Sequence, residues 1–268
     1  MGYETLEYER DGHVGWLRLN RPEKLNAMNG VMWSELARLG PELRDDPDLR
    51  ALVVIGNGRS FSAGIDLSSF GGDGAGQGFA SNQSADRERA VAATQEGYLW
   101  LQEAWYPTIA AVRGHALGAG MQLAVACDLR VAAAGSRFGM LEARYGLMPD
   151  LTGTQLLPRV VGPAKAKELI FMAEMIDAEE AYRIGLVNRL VDDAELESAA
   201  GALATKLAAQ PPIAMRWSKR AVEASTTMAV RDGLRFEHQG QAECIGSEDF
   251  REAISAFLEK RPANFTGK

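Results

Sequence analysis

Two acidic residues lie in one short segment that is otherwise largely apolar or structural. The segment is Phe138–Asp150, and its two acids are Glu142 and Asp150. If both carboxyl groups face one partly dry pocket, desolvation raises their pKa values toward the range in which side chains exchange protons. The alternative is structural, with Glu142 held in an ion pair by Arg144 or Arg130. The two acids are therefore candidates for general acid–base chemistry.

Two glycine-containing segments are candidates for binding negative charge. Phe61–Leu67 and Gly114–Leu123 each follow a short apolar run typical of a buried strand. Small residues let a backbone approach a ligand closely, and unpaired N–H groups are expected where such strands end. Two converging N–H groups stabilise an oxygen that becomes negative during proton removal, and a helix beginning near Gly118 adds its positive dipole end. A tight turn needed only for packing is the alternative for each segment.

The strands that would position these segments are short and apolar. We predict buried strands at Ala51–Ile55, Thr108–Val112 and Leu129–Ala133, because each run is short and apolar and begins or ends beside glycine or a polar residue. Near the start of the chain, Asp11–Gly12 indicates a turn between two paired strands.

Helices are predicted between and after these strands. One begins near Val31, and Gly40-Pro41 is expected to end or kink it. A second spans Asp86–Trp105, after a glycine-rich stretch, Gly71–Gly78, that we expect to be a flexible loop. From Pro163 onward the pattern is mostly helical. The chain of 268 residues therefore divides into an α/β core, residues 1–198, and a helical C-terminal region, residues 199–268.

Composition argues against several classes of protein. The net charge of −7 disfavours nucleic acid as a partner, although a small anionic ligand needs only a few local cations. No apolar run is long enough to span a membrane, and the first residues do not resemble a signal peptide, so we expect a cytoplasmic protein. Cys127 and Cys244 do not form a disulfide framework, and the histidines and cysteines lack metal-site spacing. Neither a G-x-G-x-x-G fingerprint nor a P-loop lysine is present.

In several motifs the sequence resembles the enoyl-CoA hydratase/isomerase family, the crotonase superfamily. The motifs, which together extend along nearly the whole chain, are Leu19–Ala27, Ser62–Leu67, Gly114–Gly120, Cys127–Arg130, Gly153–Gln155 and Phe250–Arg261. The resemblance implies an α/β fold built as a crotonase-like spiral of ββα units, with a helical C-terminal trimerisation region. It also implies an acyl-CoA substrate, homotrimers or hexamers made of two trimers, and no metal or redox cofactor.

The resemblance also assigns binding residues. It places the oxyanion-hole N–H groups on Ile65 and Ala119, where they hold a thioester oxygen. It places coenzyme A contacts at six positions, of which the last two belong to a neighbouring subunit: Lys24, Ala63, Asp66, Leu67, Phe257 and Lys260.

One position departs from the family pattern. Hydratases of the family carry Glu at the position of Gln122 and a second Glu at the position of Glu142. A neutral amide cannot donate and recover a proton as a carboxylate does. Dienoyl-CoA isomerases of the family resemble this chain in the turn Gly64–Leu67, in the acid at Glu142 and in a second acid at Asp150, but carry Asp at the position of Gln122.

We therefore expect an enzyme that shifts a double bond in an unsaturated acyl-CoA, with Glu142 and Asp150 exchanging protons and Gln122 beside them. A hydratase that relies mainly on one carboxylate, with Gln122 placing the water, is the alternative. An alternative of another class is a non-catalytic acyl-CoA-binding protein. An RNA-binding role, known in one branch of the family, is disfavoured by the acidic balance.

Overall fold

The computed structural model describes residues 2–70 and 81–268. The expected glycine-rich loop, Gly71–Gly78, lies outside these residues. Within them, an α/β core is followed by a mostly helical C-terminal region, as the sequence pattern predicts.

A six-stranded sheet forms the centre of the core. Its strands, in spatial order, are β1 (Leu6–Asp11), β2 (Val14–Leu19), β3 (Ala51–Gly56), β4 (Thr108–Val112), β6 (Leu129–Ala133) and β9 (Arg189–Val191). The first two strands are antiparallel, joined by the expected turn at Gly12, and the remaining pairs are parallel. The parallel strands therefore end at one edge, where both glycine-containing segments begin.

Both faces of this sheet are covered, which explains why its central strands read as continuous apolar runs. On one face, Val53 and Ile109 pack with residues of a C-terminal helix that includes Leu203. On the other, Leu52 and Ala110 pack with residues from the first helices. Successive residues of each strand thus enter opposite halves of the core.

A smaller sheet lies beside the first. It contains β5 (His115–Leu117), β7 (Arg137–Gly139) and β8 (Ile176–Asp177). These strands, of two or three residues each, are too short to produce a periodic pattern and were not predicted.

The helices of the described residues surround the two sheets. They are α1 (Gly30–Arg44), α2 (Ser84–Glu103), α3 (Ala119–Ala126), α4 (Gly153–Val161), α5 (Pro163–Met172), α6 (Ala178–Arg183), α7 (Leu196–Ala208), α8 (Pro212–Ser225), α9 (Val230–Gly246) and α10 (Glu248–Glu259). Of these, α4 was not predicted. The proposed boundary between residues 198 and 199 falls within α7, which packs on the sheet, and the domain division stays a prediction.

Helix α1 continues past Gly40-Pro41, which was expected to end or kink it. It runs through Pro41 to Arg44. Leu39 and Leu43 on either side of the proline are buried in the core, and Gly40 lies so close to Trp100 that a Cβ there would be 2.4 Å from the indole. Tertiary packing therefore outweighs the local cost of one missing hydrogen bond.

A lysine joins the C-terminal helices to the core. The Nζ of Lys219, on α8, donates to the carbonyl oxygens of Leu101 and Tyr106 and forms a 2.9 Å ion pair with Asp128. Only 8% of the Lys219 side chain is exposed, so most of this contact is shielded from solvent. No helix in the described part of the chain is long and apolar enough to cross a membrane.

Candidate active site

The two glycine-containing segments are joined by backbone hydrogen bonds. The N–H of Ser62 donates to the carbonyl of His115 at 2.8 Å, and the N–H of Leu117 donates to the carbonyl of Ser62 at 3.1 Å. At Gly120 a Cβ would lie 2.6 Å from that of Ser62. The absence of a side chain at Gly120 therefore allows the start of α3 to pack directly against the first segment.

Each segment contributes to the cavity a residue whose N–H group has no acceptor in the described part of the chain. Around Ile65, the flanking bonds run from the Met28 N–H to the Gly64 carbonyl and from the Asp66 N–H to the Met28 carbonyl. Among residues 2–70 and 81–268, the N–H groups of Ile65 and Ala119 have no acceptor. Both residues line the same cavity, of about 90 Å³. Two free donors at one cavity, one of them at the first residue of α3, form an arrangement suited to binding an oxyanion.

Glu142 lies at the start of a 3₁₀ turn and lines this cavity. It is only 9% exposed. Its Oε1 accepts a hydrogen bond from Nε2 of Gln122 at 2.7 Å, while its Oε2 is buried with no partner in the described part of the chain. Burial raises the pKa of Glu142, although hydrogen bonds, including that of Gln122, oppose the shift. One oxygen of a carboxyl group with a raised pKa thus has no hydrogen-bond partner in the described residues.

The arginines considered as partners of Glu142 do not pair with it. Arg130 is buried, and its guanidinium donates to the backbone carbonyls of Ala124 and Cys127 at the end of α3, and of Leu186. No ion pair to Glu142 is present in the described residues. The structural interpretation of Glu142 is therefore wrong in its stated form.

Asp150 supplies the second acid of the cavity. It is half-buried, and burial raises the pKa of its carboxyl group. The carbonyl of Asp150 accepts a 2.7 Å hydrogen bond from Gln95 on α2, which holds its backbone in place. The two acids are close enough for the charge of Asp150 to raise the pKa of Glu142 further. Burial thus moves the pKa of both acids in the same direction, upward from its ordinary value.

Gln122 is held at both ends of its amide. Its Oε1 accepts from the N–H of Gly153 at 3.0 Å, so its Nε2 faces Glu142. The side chain is 1% exposed. This orientation leaves Gln122 as a hydrogen-bond donor to Glu142 and gives it no transferable proton.

The remaining assigned residues are divided between the cavity and other places. Ala63 and Leu67 line the cavity with the groups described above. The carboxylate of Asp66 instead accepts from Ser68 and from Arg21, and these contacts, first the hydrogen bond of the Ser68 hydroxyl, lower its pKa.

Besides Asp66, three of the residues assigned to coenzyme A do not line this cavity. Lys24 is exposed, Phe257 is 80% exposed on α10, and Lys260 follows that helix. Their proposed contacts, two of them with a neighbouring subunit, stay predictions.

Two exposed residues that line the cavity, Tyr145 and Leu147, were missed by the sequence reasoning. About half of each side chain is exposed, and the same holds for Leu67, which also lines the cavity. Their position in the acidic segment was a usable signal, because apolar residues between two candidate acids are natural contacts for a substrate. We call Leu67, Tyr145 and Leu147 the apolar front wall.

No group of three or more His, Cys, Asp or Glu side chains suited to a metal ion occurs among the described residues. A wider groove of about 750 Å³ lies between the first hairpin and α7, and none of the assigned site residues lines it.

Comparisons with known proteins identify similar sequences and similar folds. Residues 9–268 match the family model described as enoyl-CoA hydratase/isomerase. The probable enoyl-CoA hydratase echA8 of Mycobacterium bovis is 38% identical over 269 residues, with 99% of each chain covered. The crystal structure of an enoyl-CoA hydratase from Bacillus anthracis has a TM-score of 0.90 at 31% identity and covers 99% of this chain and 100% of its own.

A Thermobifida fusca YX protein solved in complex with CoA has a TM-score of 0.83 at 41% identity, covering 96% of this chain and 95% of its own. The two structures confirm the expected α/β fold with a helical C-terminal region.

Proposed function

Since the chain belongs to the enoyl-CoA hydratase/isomerase family, whose members include the acyl-CoA enzymes it resembles, we propose that it shifts a double bond in an unsaturated fatty acyl-CoA. One observation carries the proposal. Two acids with raised pKa, Glu142 and Asp150, line the same cavity as Ile65 and Ala119, whose N–H groups have no acceptor in the described residues, while Gln122 has no proton to transfer.

The reaction follows from the placement of these groups. The ionised acid removes a proton from the carbon next to the thioester carbonyl, and the electron pair moves onto the carbonyl oxygen. The N–H groups of Ile65 and Ala119 stabilise that oxygen, each by about 3 kcal/mol if it acts as a typical oxyanion-hole donor. The protonated acid then donates to the far end of the conjugated system as the electrons return. Glu142 serves one end and Asp150 the other, and no metal or redox cofactor is required.

Hydration of a 2-enoyl-CoA is the second candidate, and the names of similar proteins favour it. In this reaction Glu142 alone activates the water, and Gln122 places it by donating a hydrogen bond. A single acid is enough for this reaction, so Asp150 has no required part in it. The two candidates therefore differ in their dependence on Asp150.

The deciding experiment supplies both substrates to the purified protein. Ultraviolet absorbance would report conversion of a 3,5-dienoyl-CoA to its conjugated 2,4-isomer, and chromatography would report 3-hydroxyacyl-CoA formed from a 2-enoyl-CoA. We expect isomerisation that is lost in Glu142→Gln. Hydration without isomerisation would replace the proposal by the second candidate. Binding of both thioesters without turnover would indicate a non-catalytic acyl-CoA-binding protein.

We also propose that the chain self-associates as a homotrimer or hexamer. Large apolar side chains are exposed on the C-terminal helices, including Val230 at 82%, Phe257 at 80% and Leu258 at 73%, and such groups are usually covered in an assembly. Light scattering on the purified protein tests this. If Phe257 and Lys260 complete a neighbour's coenzyme A site, Phe257→Ala and Lys260→Ala raise KM for acyl-CoA more than they lower kcat.

A further inference from the structure

A buried tyrosine lies directly behind the two free N–H groups. Tyr98, on α2, is 0% exposed. Burial raises the pKa of Tyr98, so its hydroxyl stays protonated and acts as a donor. A hydroxyl enclosed in a core is normally paired, because burying it without a hydrogen-bond partner destabilises the fold.

The partners of this hydroxyl belong to both sides of the oxyanion hole. The oxygen of Tyr98 lies 2.9 Å from Sδ of Met28 and 3.3 Å from the carbonyl oxygen of Ala119. It also accepts a hydrogen bond from Nε1 of Trp33 at 3.3 Å. The single hydroxyl proton is therefore shared between the sulfur and the carbonyl.

Met28 connects the Tyr98 hydroxyl to the backbone around Ile65. Its backbone N–H and carbonyl bond to the residues on either side of Ile65. A shift of Met28 therefore moves the Ile65 N–H. Ala119 itself carries the other N–H.

We infer that Tyr98 is a positioning residue whose hydroxyl sets the spacing between the Ile65 and Ala119 N–H groups. The inference rests on the proposed function, because it assumes that these groups hold a thioester oxygen. Catalytic hydrogen bonds lose much of their effect when a group is displaced by about 1 Å, which can cost roughly 100-fold in rate. A structural hydroxyl alone would affect only the stability of the fold.

The test compares Tyr98→Phe with Tyr106→Phe. Tyr106 is also buried, and its hydroxyl donates to the carbonyl of Leu43 at 2.7 Å, away from the cavity. Each substitution removes one buried hydroxyl and keeps the ring. The probe is 2,4-hexadienoyl-CoA, whose thioester carbonyl stretch and ultraviolet band move to lower energy when hydrogen bonds polarise the carbonyl.

We expect wild type and Tyr106→Phe to show the same spectral shift and similar kcat. Tyr98→Phe should show a clearly smaller shift and a kcat about 10- to 100-fold lower, with KM changed less than about threefold. An unchanged shift and kcat in Tyr98→Phe would overturn the inference. Absence of any shift in wild-type protein that binds the probe would instead contradict the oxyanion hole of the proposed function.

Should Tyr98→Phe fail to fold, Met28→Leu decides the question. This substitution nearly conserves volume and removes the sulfur acceptor. A reduced spectral shift is expected, since the hydroxyl then contacts only the Ala119 side. A wild-type shift in Met28→Leu would overturn the inference.

Discussion

The side-chain amide of Gln122 donates a 2.7 Å hydrogen bond to Oε1 of Glu142, and the N–H of Gly153 holds the amide in the orientation that makes this possible. A neutral donor thus occupies one oxygen of the acid, while the other, Oε2, is buried and has no partner among residues 2–70 and 81–268. The contact stabilises the ionised carboxylate and restricts its proton chemistry to one atom.

Replacing this donor should move the pH profile of turnover. The Gln122 bond favours ionised Glu142, so Gln122→Met raises the pKa of Glu142 beyond its already raised position. As the solution is acidified, turnover that needs ionised Glu142 is then lost at a higher pH in the variant than in wild type. The measurement is kcat/KM from pH 4 to 9. Gln102→Met is the matched control, because Gln102 donates to the carbonyl of Ala126, away from the cavity, and its acid limb should match wild type.

Removing the charge of Glu142 should stabilise the fold while stopping the reaction. Because its pKa is raised from 4.5 by burial, the folded state binds the proton more tightly than the unfolded state, and stability falls as pH rises through this interval. Glu142→Gln is therefore expected to unfold at higher denaturant than wild type at pH 7, with the gain disappearing below about pH 4. Turnover should fall about 10²- to 10⁴-fold.

Glu252→Gln is the control of opposite sign. A hydrogen bond from Arg261 lowers the pKa of Glu252 to about 2, so this substitution removes a favourable contact at pH 7. Its stability should decrease slightly, since the pair is partly exposed. A gain in stability in both variants would contradict the assignment of the Glu142→Gln effect to burial of the Glu142 carboxylate.

Asp150→Asn separates the two candidate reactions. Isomerisation needs a proton acceptor at one end of the conjugated system and a proton donor at the other, so its kcat should fall about 10²- to 10⁴-fold. Hydration by Glu142 alone should change by less than about tenfold. Both rates are measured on the same preparation, and equal losses in the two reactions would indicate a common, structural role of Asp150.

The contact between Ser62 and Gly120 should be intolerant of one methyl group. Alanine normally stabilises a helix relative to glycine by about 1 kcal/mol, but a Cβ at Gly120 would lie 2.6 Å from Ser62. Gly120→Ala should therefore destabilise the protein and lower kcat by separating the Ile65 and Ala119 N–H groups. Gly233→Ala, on α9 with open space at the Cβ position, is expected to be neutral or stabilising. Thermal unfolding and kcat of both variants check this.

Lys219→Met should loosen the C-terminal helices. The substitution leaves Asp128 without its cation and two backbone carbonyls without their donor. Breaking such a pair costs roughly 3 kcal/mol when it is largely buried. Denaturant unfolding should show this loss, whereas the exposed Lys206→Met should change stability by less than about 0.5 kcal/mol.

How much of the fold follows from the sequence depends on the length of each pattern. Strands Thr108–Val112 and Leu129–Ala133 match their predicted bounds, because their apolar runs begin and end sharply. The three-residue strands of the small sheet carry no such signal. Helix α1 does not end at Pro41, one of the two outcomes predicted there, because the neighbours of Pro41 are buried by residues far along the chain.

The candidate site was likewise only partly predictable from the sequence. Local motifs were sufficient to select the segments around Ile65 and Ala119, since small residues and strand ends are visible in sequence. The contacts of Gln122 depend on partners 20 and 31 residues away. Tyr98 has the pattern of an ordinary core residue, and only the tertiary structure reveals which atoms its hydroxyl meets.

The cavity is lined both by buried residues and by the exposed residues of the apolar front wall. The N–H groups and Gln122 are held by hydrogen bonds within a packed interior, where most substitutions are costly. Leu67, Tyr145 and Leu147 are exposed and contribute little to the core, so their replacement is tolerated. Mutations in the front wall are therefore expected to change which ligands the cavity accepts without disturbing the hydrogen bonds that hold Gln122 and Glu142.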